Sequence, residues 1–380
     1  LYYINYINKL NKKKIIYISS FIFIIVLVLI LILICIWYIL KRLFMQSNSI
    51  SYLFNKCLGP NITNEKKICN GKFISYKRTN SGFNNLRMQF ETLISIAYIT
   101  NRTLILPPKS HIDHIKNDID EFDVFDWDTL SFAVCLTREE PNIDKYNIPI
   151  TQDSHKFIDN SILDKYKDKK YWYFEDLTLP SSECYLKLDK ITKQKQRKML
   201  NENLRFKNKY ISIAVDLLHK HNLYDIGSYN SVHFRRGDYV TSTYYKDNNL
   251  GDINKYNEFI SKFNFKNKPL LFISNTDKDL IKTELEKEYK AISINIDSYS
   301  DLESTIIDML LCCGSYKFIG SPYSTMSIYI FMLRGKIYRE CKCIDDSIIY
   351  LKDLGFSTTN CECELPSCFY YVSKDIWLNY

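Results

Sequence analysis

Residues 231–240 read SVHFRRGDYV. Tyr229, Val232 and Phe234 give this run strand character, and Gly237 and Asp238 then turn the chain away. His233, Arg235 and Arg236 therefore arrive at the carboxyl end of a strand, the edge of an open α/β sheet at which ligands sit. Two adjacent guanidiniums there suit a diphosphate, because each offers planar, permanently charged donor forks that match phosphate oxygens. The same residues also read as a surface arginine pair bridged to Asp238.

The sequence on either side supplies the layers around that strand. Toward the C-terminus come an apolar run at residues 269–274 (PLLFIS) ending in Asn275, Thr276 and Asp277, a helical stretch at 278–289, and a strand at 291–296. A helix over 304–313 follows, then a short strand at 318–320, a hydroxyl-rich turn at 321–327 (SPYSTMS) and a helix at 328–333. Toward the N-terminus, 72–75 reads as a strand and 78–85 (RTNSGFNN) as a loop. A helix with Phe90, Leu93, Ile94 and Ala97 on one stripe comes next, and the β-prone run 103–106 is closed by Pro107 and Pro108. Strands alternate with helices in both halves, which predicts two α/β layers facing a cleft. Residues 141–225 are lysine-rich and polar and say little; 193–198 reads as a solvated helix face.

At 380 residues, with 30 Tyr and 22 Phe, the chain can build two domains with ample cores. Its net charge of +8 invites a nucleic-acid reading, but six of the cations (Lys9, Lys12, Lys13, Lys14, Lys41 and Arg42) lie in the first 42 residues, which hold no acid. The rest carries 45 basic against 43 acidic residues, no electrostatic footprint for DNA or RNA. Those six cations flank residues 15–40, 26 residues without a charge, more than the roughly 20 needed to cross a bilayer. With four cations before and two after, the positive-inside rule leaves 1–14 cytosolic and everything beyond the span lumenal, a single-pass type II protein. Residues 41–70 then read as a polar stalk. Eleven of the twelve cysteines fall in the lumen, where disulfides form. Cys57 and Cys69 are placed to close a small loop, and Cys341, Cys343, Cys361, Cys363 and Cys368 crowd a C-terminal segment, 341–380. Asn61 and Asn101 head glycosylation sequons.

Three devices for holding phosphate recur along the body. Gly82 and Phe83 with Asn84 and Asn85 open a helix, whose N-terminus offers unpaired N–H groups and partial positive charge; asparagines there also serve as ordinary caps. The 231–240 strand end is the second device and the Ser-Thr turn at 324–325 the third. Residues 118–128 (DIDEFDVFDWD) hold two Asp-x-Asp triplets of the kind that bind a divalent metal, but Phe122, Val124, Phe125 and Trp127 interleave with the acids as on an amphipathic surface segment.

The stretches 81–88 (SGFNNLRM), 101–108 (NRTLILPP), 233–238 (HFRRGD) and 308–335 resemble, in order, the GDP-fucose-dependent O-fucosyltransferase superfamily. The resemblance implies an α/β, GT-B-like fold of two Rossmann-like domains facing a cleft, 71–225 on the acceptor side and 226–340 on the GDP-sugar side, behind the N-terminal membrane helix. It implies inverting transfer of fucose from GDP-fucose to a protein or glycan hydroxyl, with no metal or other cofactor, in the Golgi or endoplasmic reticulum. Arg235 would contact the β-phosphate and His233 the nucleotide, Arg236 would join the donor site, Asp308 would read guanine, Ser324 and Thr325 would hold phosphate oxygens, and Asn85 would face donor and acceptor. One branch of the family carries a glutamate base just before the Gly-Phe-Asn step; here Ser81 stands there, which leaves Asp238, Glu91 or the departing phosphate to take the proton. Asp238 also reads as a structural partner of Arg236, and Glu91 as a surface residue of its helix.

Overall fold

The computed structural model describes residues 25–39, 49–60, 67–113, 115–148, 158–175, 186–241, 243, 251–262, 265, 267–321 and 324–341. The chain divides into two units at Ser49 and Ile50. In the first, residues 25–39 are helical with every side chain exposed, almost all of them large and apolar. Among the described residues no helix is long and apolar enough to cross a membrane. The remainder of the expected span, 15–24 and 40, lies outside them, as do Asn61 and the cysteines from 343 to 368.

The second unit opens with α1 (Ile50–Cys57), which buries Ile50, Leu53, Phe54 and Cys57. That is an i, i+3, i+4, i+7 stripe, interrupted by Ser, Asn and Lys that mask it in the sequence. Residues 50–57, expected in a stalk, are thus part of the folded body. The expected Cys57–Cys69 loop is not formed: Cys57 sits on the buried stripe, and Cys69 is bonded to Cys135.

Next come β1 (Phe73–Tyr76), α2 (Phe83–Thr100) and β2 (Thr103–Ile105), the β-α-β unit anticipated from periodicity. Asn101 ends α2 in the left-handed conformation, φ 53°, with its N–H on the carbonyls of Ala97 and Tyr98. β3 (Leu136–Thr137), β4 (Tyr146–Asn147) and β5 (Tyr171–Phe174) complete a parallel sheet ordered β3-β2-β1-β5-β4. The aromatic run YWYF of β5 pairs with β1 along its whole length, from Phe73↔Tyr171 to Tyr76↔Phe174. α3 (Lys190–Asn203) buries only Gln196, Met199 and Leu200, so its lysines are solvated, and α4 (Asn208–Lys220) packs against α1.

The second sheet comprises β6 (Asn230–Phe234), β7 (Leu270–Ser274), β8 (Ala291–Ser293) and β9 (Phe318–Ile319), all parallel in the order β8-β7-β6-β9. Its helices are α5 (Ile253–Lys262), α6 (Lys278–Glu286), α7 (Asp301–Cys313) and α8 (Thr325–Cys341). Every residue of β6 is buried, as expected for a strand covered on both faces. Val232 and Phe234 enter a core with Tyr256 and Ile281. Ser231 and His233 point the other way, toward α7 and α8, where their side chains meet Ser315 and Ser327. A second, larger core joins α1, α2, α4, α7 and α8, so the two sheets belong to one body.

Candidate active site

The carboxyl edge of the second sheet is tied together by hydroxyls. Ser321 Oγ donates to the carbonyl of His233 (2.6 Å) and accepts from the N–H of Arg235 (2.7 Å), with the Tyr256 hydroxyl also 2.7 Å away. Ser327 Oγ accepts from the Ser321 N–H (2.9 Å) and lies 2.8 Å from His233 Nδ1. Burial, reinforced by Arg235, drives the His233 pKa down to about 3, so the ring is uncharged throughout the physiological range. A Cβ on Gly320 would lie 2.7 Å from that of Ser327, so glycine is what lets the turn close on the network.

The two arginines after β6 have separate duties. Arg236 is mostly covered; its Nε binds Asp277 (2.9 Å), its Nη1 the Gly251 carbonyl, and its backbone N–H the Oδ1 of Asn275 (3.1 Å). The same oxygen accepts from Gly237 N–H, and a Cβ there would strike Asn275 Nδ2 at 2.5 Å. Arg235 is more open, its side chain 29% exposed; it lies over the Tyr239 ring and is forked onto Asp238 at 3.1 and 2.8 Å. Asp238 therefore partners Arg235 and not Arg236, because the short turn 237–241 returns its carboxylate to residue i−3.

Asp308 lies one helical turn before Cys312 on α7 and is half-buried. No side chain among the described residues donates a hydrogen bond to it. Burial raises its carboxyl pKa to about 7; Lys278, after β7, pulls it down, and Asp297, after β8, adds to the rise. Ser324 caps α8, its Oγ accepting from Ser327 N–H (3.4 Å), and Thr325 beside it is half-buried.

The first-half residues meet this edge through α2 and α8. Gly82 caps α2 with no side-chain bond, and the Oδ1 atoms of buried Asn84 and of Asn85 have no hydrogen-bond partner. One turn on, the Arg87 guanidinium stacks on Tyr329 at 4.1 Å, with Phe206 and Phe125 farther off. Glu91 is not at the surface: 4% exposed, it takes Arg87 Nε on Oε1 (2.9 Å) and the Tyr329 hydroxyl on Oε2 (2.8 Å). Its carboxylate is committed to the interior, which removes it as a base for a substrate. The second and third turns of α2 thus meet the second turn of α8 through Arg87, Glu91 and Tyr329.

The acidic stretch 118–128 is spent on structure. Asp118 faces His111 at 3.1 Å, Asp120 caps a short helix and pairs with Arg138, and Asp126 caps another and takes two bonds from Thr129. Among the described residues no cluster of His, Cys, Asp and Glu is arranged to hold a metal ion. Sequence reasoning overlooked Ser321, Ser327, Tyr256, Arg87 and Tyr329. The two serines stand in the quoted turn SPYSTMS, but Arg87 and Tyr329 had no signal, since their meaning arises only where two distant helices touch.

The parallel α/β body thus carries a cation at a strand end, a half-buried carboxylate on a helix and two helix N-termini, and the comparisons give its family. The chain belongs to the GDP-fucose protein O-fucosyltransferase family, whose model matches residues 73–335, and is a glycosyltransferase. Among solved structures, POFUT1 in complex with GDP-fucose aligns over 73% of this chain and 97% of its own, at 14% identity and a TM-score of 0.47. The fucosyltransferase NodZ from Bradyrhizobium aligns over 71% and 94%, at 13% identity and a TM-score of 0.48. No curated protein sequence matches the chain.

Proposed function

We propose that the protein moves fucose from GDP-fucose to an acceptor hydroxyl, that of a Ser or Thr of a protein, with inversion and without a metal. The observation that carries this reading is Arg235, half-open at the end of β6 and fixed through its own backbone to the Ser321–Ser327–His233 network. Departure of GDP builds negative charge on the β-phosphate, and a preorganised guanidinium stabilises it. Arg236 is engaged by Asp277 and Gly251, so the load falls on Arg235, which exchanges Asp238 for the phosphate. Asp308 accepts from guanine N1–H and N2–H, two donors that uracil lacks, while His233 faces the nucleotide and Thr325 with the α8 terminus receives phosphate oxygens. Asn84 and Asn85 bring unpaired amide oxygens from the other half. With Ser81 in place of an acid and Glu91 buried, the acceptor proton passes to the departing phosphate or to Asp238 once Arg235 has left it.

The protein works in the lumen of the Golgi or endoplasmic reticulum, held by one span over residues 15–40. The exposed apolar helix at 25–39 and the Cys69–Cys135 bond support this placement. A glycan hydroxyl is the second reading of the acceptor, favoured by the cavity described next.

Calorimetry with GDP-fucose and with UDP-sugars, in EDTA, tests the donor. GDP-fucose binding that persists in EDTA and falls away in Arg235→Ala is the expected result; equal binding of UDP-sugars, or a requirement for a divalent ion, overturns the proposal. Replacing Asp238 by Asn separates the two proton acceptors: activity survives if the phosphate acts, and collapses if Asp238 does.

A further inference from the structure

The carboxyl edge of the first sheet carries a cavity that the donor reading leaves unused. It holds about 460 Å³ between the ends of β1, β2 and β5, bounded by Ser75, Tyr76, Pro107, Arg138, Lys145 and Tyr173. In the strand order, β2 lies on one side of β1 and β5 on the other, so the chain reverses its direction of travel across the sheet here. Such a switch point opens a crevice that takes ligands.

Three features define what fits. The charges at the rim are already balanced, Arg138 by Asp120 and Lys145 by Glu140 at 2.9 Å, so an anion or a cation gains no uncompensated partner. The walls are apolar where the charges are not: Pro107 on one side, and on the other Tyr173, whose ring has the Lys145 ammonium 5.4 Å from its centre. Ser75 is 5% exposed and lines the cavity, and the Tyr171 hydroxyl, on the same face of the sheet two residues before Tyr173, interacts with it and with Glu140. A serine hydroxyl donates once and accepts twice, so Ser75 Oγ keeps bonding capacity beyond that neighbour that a ligand hydroxyl can use.

We infer that this cavity binds a neutral pyranose. A sugar ring presents an apolar C–H face to an aromatic or proline wall, and hydroxyls that both donate and accept, which suits a serine oxygen and balanced ion pairs better than a peptide side chain would. Taken as the place that receives the acceptor, the cavity rests on the transferase reading above and names the acceptor as carbohydrate or as a protein already carrying a sugar.

The test is saturation-transfer NMR on the full chain with methyl pyranosides of glucose, galactose, mannose and N-acetylglucosamine, in the presence and absence of GDP. A second arm compares free oligosaccharides with a glycosylated and an unglycosylated Ser/Thr peptide to separate the two sources. At least one pyranoside is expected to bind whether or not GDP is present, and to weaken about tenfold in Tyr173→Ala, the size of one lost aromatic contact. Ser75→Ala, a smaller change, should weaken it without disturbing the fold. GDP affinity, measured in the same samples, should stay constant and serves as the folding control. Absence of pyranoside binding in protein that binds GDP sinks this inference and spares the transferase reading. Pyranoside binding indifferent to both variants, or binding of the unglycosylated peptide alone, also overturns it, whereas pyranoside binding without GDP binding counts against the donor assignment instead.

Discussion

The carboxyl edges of the two sheets solve opposite problems. At the second, Ser274, Ser321, Ser327, Tyr256 and His233 are all engaged with one another or with backbone, and the edge is rigid before any ligand arrives. At the first, the amide oxygens of Asn84 and Asn85 are buried without partners. A saturated network holds Arg235 in place, while the amide oxygens at the first edge keep bonding capacity open. On the proposed reading, preorganisation lies on the donor side, where the chemistry is constant, and open valence on the side that reads an acceptor.

Substitutions at and between the two edges test how far they act as separate parts of one body. The largest effect is expected at their junction: Glu91→Ala strands the Arg87 guanidinium in the interior and should cost about 3–5 kcal/mol, read by chemical denaturation. If stability holds, the halves are less firmly joined than the Arg87–Glu91–Tyr329 contacts imply. Arg235→Ala comes next, lowering the rate of fucose transfer by about 10² to 10³ while melting stays within about 0.5 kcal/mol of the parent; a comparable loss of stability would mean that Arg235 is structural. Tyr329→Phe removes one bond to the Glu91 carboxylate and should destabilise by about 1.5–3 kcal/mol with GDP affinity unchanged, again by denaturation.

The smallest effect is a pH dependence confined to the donor edge. If Asp308 reads guanine as proposed, it does so in its ionised form, and burial raises its pKa to about 7. GDP affinity should therefore be level above pH 7 and fall about tenfold per unit below it, by calorimetry, and the slope should vanish in Asp308→Asn. The stability of the ligand-free protein runs the other way. Because the folded carboxyl holds its proton more tightly than the unfolded one at 3.8, this group favours the fold most at acid pH and loses that contribution as pH rises from about 4 to 7.

Much of the fold was legible because its signals are local. The strand at 230–234, the helix after Gly82 and the alternation of apolar runs with helical stripes in the second half depend on side chains a few residues apart. The β5 strand was lost inside a polar, lysine-rich region, although YWYF between charged flanks is a strand signal of its own. α1 was hidden for a similar reason, since its buried stripe is narrow and the residues between are polar.

By itself the sequence determined that parallel α/β layers would form, that Arg235 and His233 would stand at a strand end, and that Asp308 would lie on a helix of the second layer. These follow from periodicity and turn chemistry, which act over one or two turns of chain. Only the tertiary structure decided which arginine is engaged by Asp277, that Cys69 joins Cys135 over 66 residues, and that Glu91 is a buried tie instead of a base. Each is a meeting of side chains brought together by packing, and a pairing across such distances leaves no mark in local residue order.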